Sequence, residues 1–577
     1  MGALLGRFLR PYRGALVIVV ALLFVQATAN LFLPSLNANL INDGVVTGDI
    51  GYIVRTGAVM LAVTLALGVT SVIAVYYSAR TAMAFGRDVR RELFRTVETF
   101  SLREVNDFGA PSLITRNTND VQQVQMLVFM GLTMMILAPL TAIGGVIMAL
   151  REDVQLSALL LVVIPLMAVV IGLMLFKAVP LFRSMQVKID RINAVLRENL
   201  AGIRVIRAFV RTRHEEERFE EANLDLTATA LSVTRLFALA LPALMLIMNL
   251  STVAVMWFGG GLVDSGQMQI GDLTAFLAYI MQILFSVMMA VMMLVMVPRA
   301  AASAERIQAV LTTVPDIHDP EHPVTPDGPD LGVVELRDVE FRYPGAQEPV
   351  LRDVSFTMRP GQVTAIVGST GSGKTTLVNL VPRLYDVTGG AVLIDGVDVR
   401  EMPLQRLWAH LGLVPQRAFL FSGTVASNVR FGKSDATDED VWAALETAQA
   451  AGFVREMSKG IETPIDQGGA NVSGGQRQRL AIARALVRRP RIYVFDDSFS
   501  ALDYATDARL RAALRRQTQD ATVVIVAQRV STIMNADQIV VLDEGRVVGV
   551  GRHEALLEDC PTYREIVLSQ LTADEVA

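Results

Sequence analysis

Residues Ala365–Thr376 read AIVGSTGSGKTT. A short apolar run, Val363–Val367, enters a glycine-rich turn, and Lys374, Thr375 and Thr376 then open a predicted helix. From Gly368 to Thr375 the turn fits the spacing GxxxxGK[ST]. Gly368, Gly371 and Gly373, with Ser369, Thr370 and Ser372 between them, let backbone N–H groups converge on phosphates. The positive end of the following helix dipole adds to that field. Lys374 is placed to reach β- and γ-phosphates, and the Thr375 hydroxyl to ligate Mg²⁺. A chance glycine turn before a helix is the alternative, and motifs further along the chain exclude it.

At 577 residues the chain is long enough for more than one domain. Hydrophobic residues make up 52% of it but are unevenly spread. Residues 1–311 are long apolar blocks separated by arginine-rich stretches, whereas residues 332–577 read as an ordinary soluble α/β domain. The net charge is −5, with no basic face and no aromatic–basic interleaving, which excludes nucleic acid as a partner. Cys560 is the single cysteine, so neither an internal disulfide nor a cysteine metal site is available.

Six apolar segments lie near 14–36, 56–79, 124–149, 154–178, 236–262 and 272–297. Each reaches the ~20 residues that a helix needs to cross a bilayer. Arginines cluster before the first segment, after the second and after the fourth. The opposite connections hold only Arg55 and Arg151. Both termini and both long loops are therefore predicted cytosolic, in a bacterial cytoplasmic membrane. Cleavage after Ala27-Thr28-Ala29 would leave five spans and contradict the arginine pattern, so the first span is not read as a signal peptide. Residues 1–12, with Leu4, Leu5, Phe8 and Leu9 among arginines, predict an amphipathic helix lying on the membrane.

The two cytosolic loops are too long for simple turns, and their spans are expected to continue as helices. Phe108-Gly109-Ala110-Pro111 interrupts the first, and the second holds Gly202-Ile203-Arg204-Val205-Ile206-Arg207-Ala208-Phe209. A break beside exposed apolar residues predicts docking elements near 105–112 and 202–211. A solvated helical hairpin is the alternative. Charges are nearly absent from the spans, which argues against a proton relay. Gln26, Asn30, Asn249 and Gln282 are the notable polar residues there. Met281, Phe285, Met288, Met289, Met292 and Met296 recur at helical spacing along the sixth span. Such a soft face suits a loose apolar substrate, and it equally suits packing or lipid contact. Gln26, Asn249, Gln282, Met288 and Met292 are the candidate substrate-pathway residues.

Residues 312–331 carry five prolines among acidic residues and read as a linker. Strands are predicted at Val333–Tyr343 and at 391–395, 411–414, 491–495, 522–526 and 538–542. Gln416 follows a short apolar strand, and Ser473-Gly474-Gly475-Gln476 precedes a predicted helix, a second anion site. Ile492–Asp496 is a buried strand ending in a carboxylate where Mg²⁺ needs one. Asp497, then Ser500-Ala501-Leu502-Asp503, come next, and Gln528 closes the run Val523–Ala527.

Together and in this order the motifs resemble an ATP-binding-cassette (ABC) transporter, in the half-transporter arrangement of the exporter type. The resemblance covers nearly the whole chain. It implies an α-helical membrane domain of six spans followed by an α/β P-loop cassette. It also implies a dimer in which two ATP molecules lie between two cassettes. By the same resemblance Tyr343 stacks on adenine, Lys374 holds phosphates, and Thr375, Gln416 and Asp496 serve Mg²⁺. Ser473, Gly474, Gly475 and Gln476 complete the partner's ATP site, and Asp503 lies at the dimer interface.

Three positions depart from the family pattern in ways that bear on chemistry. The family's general base is a glutamate, and Asp497 stands there, one methylene shorter. The family's switch histidine is Gln528, which donates hydrogen bonds but carries no imidazolium charge. Gln467 replaces a glutamate before the signature, and Val472 replaces a leucine, a minor change. The resemblance therefore implies the degenerate-site subunit of a heterodimeric exporter of drugs or lipids, with a second half-transporter as partner. An importer of lipids or siderophores on the same fold, or an ATP-gated channel, are the alternatives.

Overall fold

The apolar segments fold as helices far longer than a bilayer requires. The computed structural model describes residues 1–326 and 328–570, apart from the side chains of 240, 241 and 291–295. These residues form two units, Met1–Glu98 with Ala110–Thr313, and Thr99–Gly109 with the chain from Val314 onward.

In the first unit six helices are long and apolar enough to cross a membrane: Gly2–Val45, Ile50–Glu98, Ala110–Glu152, Val154–Ala208, Thr212–Asp264 and one from Ile270. Past their apolar stretches the helices continue because polar side chains pair across them. Lys188–Asp225 (2.6 Å), Arg218–Glu198 (2.7 Å) and Arg191–Glu221 (3.1 Å) lace the fourth helix to the fifth, antiparallel. The break expected from Gly202 does not occur there. The fourth helix runs on to Ala208, and the chain turns at Phe209–Arg211 with Val210 in the left-handed region (φ 54°). One glycine costs a helix about 1 kcal/mol, too little to end one so well paired. The N-terminal helix Gly2–Leu9 also differs from expectation. It turns Leu4 and Phe8 into the protein, where Phe8 meets Phe85 at 6.2 Å and Arg7 pairs with Glu92, rather than giving its apolar face to lipid.

The core of this unit centres on the sixth helix, where Phe276, Tyr279 and Ile280 are wholly buried. Tyr279 donates its hydroxyl hydrogen to Leu31 O (3.0 Å), which satisfies the one polar atom the ring brings inside. Nearer the polar end, Asp120 is 2% exposed and accepts from Arg306 Nε (2.7 Å), from a second Arg306 nitrogen, and from Ser303 Oγ (3.0 Å).

The second unit is built on twelve strands. In chain order they are β1 Val334–Phe341, β2 Leu351–Met358, β3 Val363–Gly368, β4 Gly389–Ile394, β5 Val397–Asp398, β6 Leu411–Val414, β7 Gly423–Thr424, β8 Pro464–Ile465, β9 Ile492–Asp496, β10 Thr522–Val526, β11 Gln538–Asp543 and β12 Arg546–Gly551. An antiparallel sheet has the order β2-β1-β4-β5, and a larger sheet has the order β12-β11-β3-β10-β9-β6. The larger one is parallel except at its β12 edge. Its central strands are buried on both faces, as β9 and β10 show throughout their length. Sequence reading missed β2, whose alternation is broken by Arg352 and Asp353, and the short β5, β7, β8 and β12.

The segment Thr99–Gly109 packs with this second unit. Its helix, Leu102–Phe108, is set by a capping box. Ser101 Oγ accepts from Arg103 N (3.2 Å), Glu104 Oε2 accepts from Ser101 N (2.7 Å), and Gly109 ends the helix at φ +74°. The stretch 105–112 is not one helix, because Gly109 closes one helix and Ala110 opens the next. The described residues of 314–331 form no helix or strand. Asp319 Oδ1 accepts from Leu404 N (2.7 Å), and Arg383 donates to His318 O (3.2 Å).

Replacing Asp120 with Ala should strand donors on Ser303 and Arg306 and lower stability by about 1–3 kcal/mol. Thermal unfolding of the full chain in detergent measures it, and Asp120→Ala/Arg306→Ala should recover part of the loss. An unchanged midpoint in the single variant would show the cluster to be idle.

Candidate nucleotide site

The ends of four adjacent parallel strands supply the site. β3 leads into the glycine-rich loop and β9 ends in Asp496; β6 and β10 are each followed two residues later by a glutamine. The loop needs its glycines, since Gly371 and Gly373 sit at φ +87° and +98°. A Cβ at Gly373 would also come 2.8 Å from Leu351 Cδ2. Gly373 caps the helix Lys374–Leu380, whose first turn contains Thr375 and Thr376.

Lys374 is 9% exposed, and its Nζ donates to Ser369 O (2.7 Å), Gly368 O (2.9 Å) and Ser372 Oγ (3.3 Å). The ammonium thus lies across the loop. Burial lowers its pKa, against the pull of Asp497 and Asp496. Thr375 Oγ1 donates to Asp496 Oδ1 (3.2 Å). Burial raises the pKa of Asp496, while the Thr375 hydroxyl acts the other way.

Asp497 is 8% exposed and has a left-handed backbone (φ 45°), held by its N–H on Val526 O (3.0 Å). Its Oδ2 accepts from Gln528 Nε2 (3.1 Å) and from Gln416 Nε2 (3.3 Å). Burial pushes this carboxyl up as well, and the Gln416 bond draws it down. So Asp496, Asp497, Gln416, Gln528, Lys374 and Thr375 form one linked group with the loop.

Tyr343 is half-buried, its hydroxyl 3.0 Å from Thr376 Oγ1, with rings of Phe341 (4.9 Å) and Tyr385 (5.5 Å) beside it. Tyr385 was missed in the sequence. Its hydroxyl accepts from Asn106 Nδ2 (3.5 Å), which joins the Leu102–Phe108 helix to the aromatic cluster. No local pattern marks such a residue.

The signature stands apart. Ser473 caps the helix Gly474–Arg488; its Oγ accepts from Gln476 N (3.2 Å), and Gln476 Oε1 accepts from Ser473 N (2.9 Å). Ser473 and Gly474 are exposed, and among the described residues no hydrogen bond links 473–476 to the phosphate loop. Asp503 caps the helix Tyr504–Gln517 by accepting from Thr506 N (2.9 Å), which holds its pKa down. Gln467 is exposed in a short turn.

The substrate-pathway candidates scatter. Gln282 borders a cavity in the membrane unit, Gln26 is half-buried, Asn249 is exposed, and Met288 packs against the helix core. The Met292 side chain lies outside the described residues.

The donor set suits Mg²⁺ bound with phosphate. Thr375 and Asp496 offer hard oxygens already in contact, and Gln416 keeps its Oε1 while its Nε2 engages Asp497. Six membrane-crossing helices joined to a P-loop cassette define a nucleotide-driven membrane protein.

The chain belongs to the ABC transporter family. Residues 16–287 match the ABC transporter transmembrane region, and residues 351–500 match the ABC transporter domain. An uncharacterised ABC transporter ATP-binding protein of Mycobacterium tuberculosis is 52% identical over 571 residues, 98% of each chain. An ATP-dependent lipid A-core flippase of Syntrophus aciditrophicus is 33% identical over 490 residues, 85% of this chain and 81% of the flippase. In fold, the chain matches an Atm1-family ABC exporter with ATP bound, at TM-score 0.80 and 24% identity, over 97% and 98% of the two chains. It is a half-transporter: one membrane domain fused to one ATP-binding cassette.

Two predictions follow from this geometry. A folded-state pKa raised by burial means that Asp496 favours its neutral form in the fold. That contribution is present below the ordinary carboxylate range and lost as pH rises through the raised value. At neutral pH the ionised carboxylate therefore weakens the nucleotide-free cassette. Asp496→Asn should raise its unfolding midpoint without nucleotide by roughly 2–4 °C, the effect of about 1 kcal/mol in a domain this large, while diminishing stabilisation by Mg²⁺-ATP. A lower midpoint would refute the argument. Tyr343→Ala should weaken ATP binding by ~1–3 kcal/mol, the range for base–aromatic stacking. An unchanged titration would remove Tyr343 from the adenine site.

Proposed function

We propose that this chain is one subunit of a heterodimeric, ATP-driven exporter of amphipathic small molecules, drugs or lipids, in a bacterial cytoplasmic membrane with both termini cytosolic. The pairing of Asp497 with Gln528 carries the proposal. ATP hydrolysis needs a base on the attacking water and donors on the developing phosphoryl charge. Asp497 is one methylene shorter than glutamate, so its carboxylate stops roughly 1 Å short of the water, a misplacement that can cost ~10²-fold. Its Oδ2 is also engaged by two amide donors, which compete with a water for that oxygen. Gln528 supplies a neutral donor only.

Binding is less affected. Lys374 and the loop N–H groups hold the phosphates, Tyr343 takes the base, and Thr375 and Asp496 hold Mg²⁺, which when bound offsets phosphate charge. The signature helix begins in the open, with Ser473 and Gly474 free to meet a partner's nucleotide. Two further surfaces favour a second subunit. Phe419, Phe421 and Phe431 of the cassette are 48%, 44% and 65% exposed, and in the membrane unit Phe209 and Val210 are 74% and 86% exposed. A flippase among the relatives and the uncharged spans both favour an amphipathic cargo.

The isolated chain should show little ATPase activity, since Asp497 and Gln528 would impair both sites of a homodimer. In the reconstituted heterodimer, Asp497→Asn should leave much of the turnover, and Ser473→Ala should cut it severely. Steady-state ATPase at saturating Mg²⁺-ATP decides. Brisk turnover by the isolated chain, or its abolition by Asp497→Asn, would make this a symmetric transporter with Asp497 as a working base.

A further inference from the structure

A cavity of about 380 Å³ lies between the first, third, fifth and sixth spanning helices, within a single chain. Its wall is chiefly apolar: Leu137, Met248, Met281, Phe285 and Met289. Thr141 and Ser286 also line it, but their hydroxyl hydrogens go to backbone carbonyls of their own helices, Leu137 O (3.0 Å) and Ile283 O (2.7 Å). Two amides complete the lining, and none of the lining residues is charged. Gln282 Nε2 donates to Asn30 O (3.3 Å), which orients the glutamine, and its Oε1 is buried without a partner. No hydrogen bond among the described residues involves the Asn30 side-chain amide. With Gln282 Oε1 below the surface, Asn30 is the polar group that a ligand meets first.

An amide left without partners among hydrocarbon is costly, and neighbouring groups usually relieve it. Here no side chain does, and the space beside it is of ordinary small-molecule size. A charged head group would find no counter-ion. A group that only accepts would satisfy the Asn30 N–H but leave the Asn30 and Gln282 oxygens bare. A hydroxyl serves both needs. The methionines and Phe285 offer an adaptable surface to a flexible tail. We infer that this cavity binds an uncharged, long-chain hydroxyl compound, with its head group on the Asn30 amide and its tail along Met248, Met281, Phe285 and Met289. That its occupant is cargo rests on the transport reading above; that it binds does not.

The full chain in lipid nanodiscs is titrated with 1-dodecanol and with its isomer 1-methoxyundecane, which cannot donate a hydrogen bond. Both ligands partition into lipid, so the alcohol-to-ether affinity ratio is compared between wild type and variants in identical nanodiscs. Asn30→Leu should lower that ratio about three- to tenfold, the worth of a hydrogen bond or two. Phe285→Ala, which opens the tail end, should weaken both ligands and leave the ratio unchanged. Dodecanoate and dodecyltrimethylammonium should not compete. A ratio equal in wild type and Asn30→Leu, or shifted as much by Phe285→Ala, overturns the assignment. A ratio that falls as expected, with neither ligand altering the ATPase of the assembled transporter, upholds the site and counts against the cargo reading alone.

Discussion

The register of four parallel strands is the constraint on which the nucleotide site depends. Ile366 of β3 is level with Val526 of β10, Val526 with Asp496 of β9, and Phe495 with Val414 of β6. Each strand then releases one functional group within a few residues: the phosphate loop, Gln528, Asp496 with Asp497, and Gln416. A slip of one residue anywhere would send that strand's side chains to the opposite face. Burial on both faces prevents the slip, because β9 and β10 have no solvent side to tolerate it. The same burial brings an ammonium and two carboxylates out of water. Lys374 leans on carbonyls, Asp496 on Thr375, and Asp497 on two glutamines. The Lys374 ammonium also feels both carboxylates, so the loop lysine and the two aspartates are held in one charged group where the strands end.

Within this register an aspartate at residue 497 has local reasons. Its backbone is left-handed, a region that aspartate enters more readily than most side chains. Ser500 Oγ donates to its carbonyl (2.9 Å), and Val526 O takes its N–H (3.0 Å), so the turn is held from both sides. A short carboxylate on this turn reaches both Gln416 and Gln528. Asp497 and Gln528 thus form one arrangement, since each is the other's hydrogen-bond partner.

Much of this was legible because it is local. The phosphate loop, the carboxylate that ends β9 and the helix start after Ser473 each depend on a few consecutive residues, and the strands fall where alternation or apolar runs put them. The helix break was less legible. Gly202 looked like a stop, yet the Lys188, Arg191 and Arg218 ion pairs carry the fourth and fifth helices past it. The N-terminal helix read as a membrane-surface element because its sequence cannot reveal that Phe85 waits 77 residues away to receive Phe8. Tyr385 and Asn106 carry no signal in one dimension, and Asn30 stands out only as a polar residue within a span. Their importance arises from residues distant in sequence, such as Tyr343 for the first and Gln282 for the last.

The loop between the second and third spans makes distant contacts of the same kind. Its helix Leu102–Phe108 lies in sequence between the second and third spans but packs with the cassette. Glu104, 5% exposed, does two things with one carboxylate: Oε2 closes the capping box on Ser101 N, and Oε1 accepts from Asp316 N (3.2 Å), just past the end of the sixth helix. Arg103 pairs with Asp316 as well. Asn106 reaches Tyr385, whose ring borders Tyr343, whose hydroxyl meets Thr376 at the start of the phosphate-loop helix. A buried carboxylate that both caps a helix and fixes another segment cannot release one without exposing the other. Hydrogen bonds and ring contacts within one unit therefore tie together the loop helix, the chain just past the sixth helix and the aromatic cluster around Tyr343.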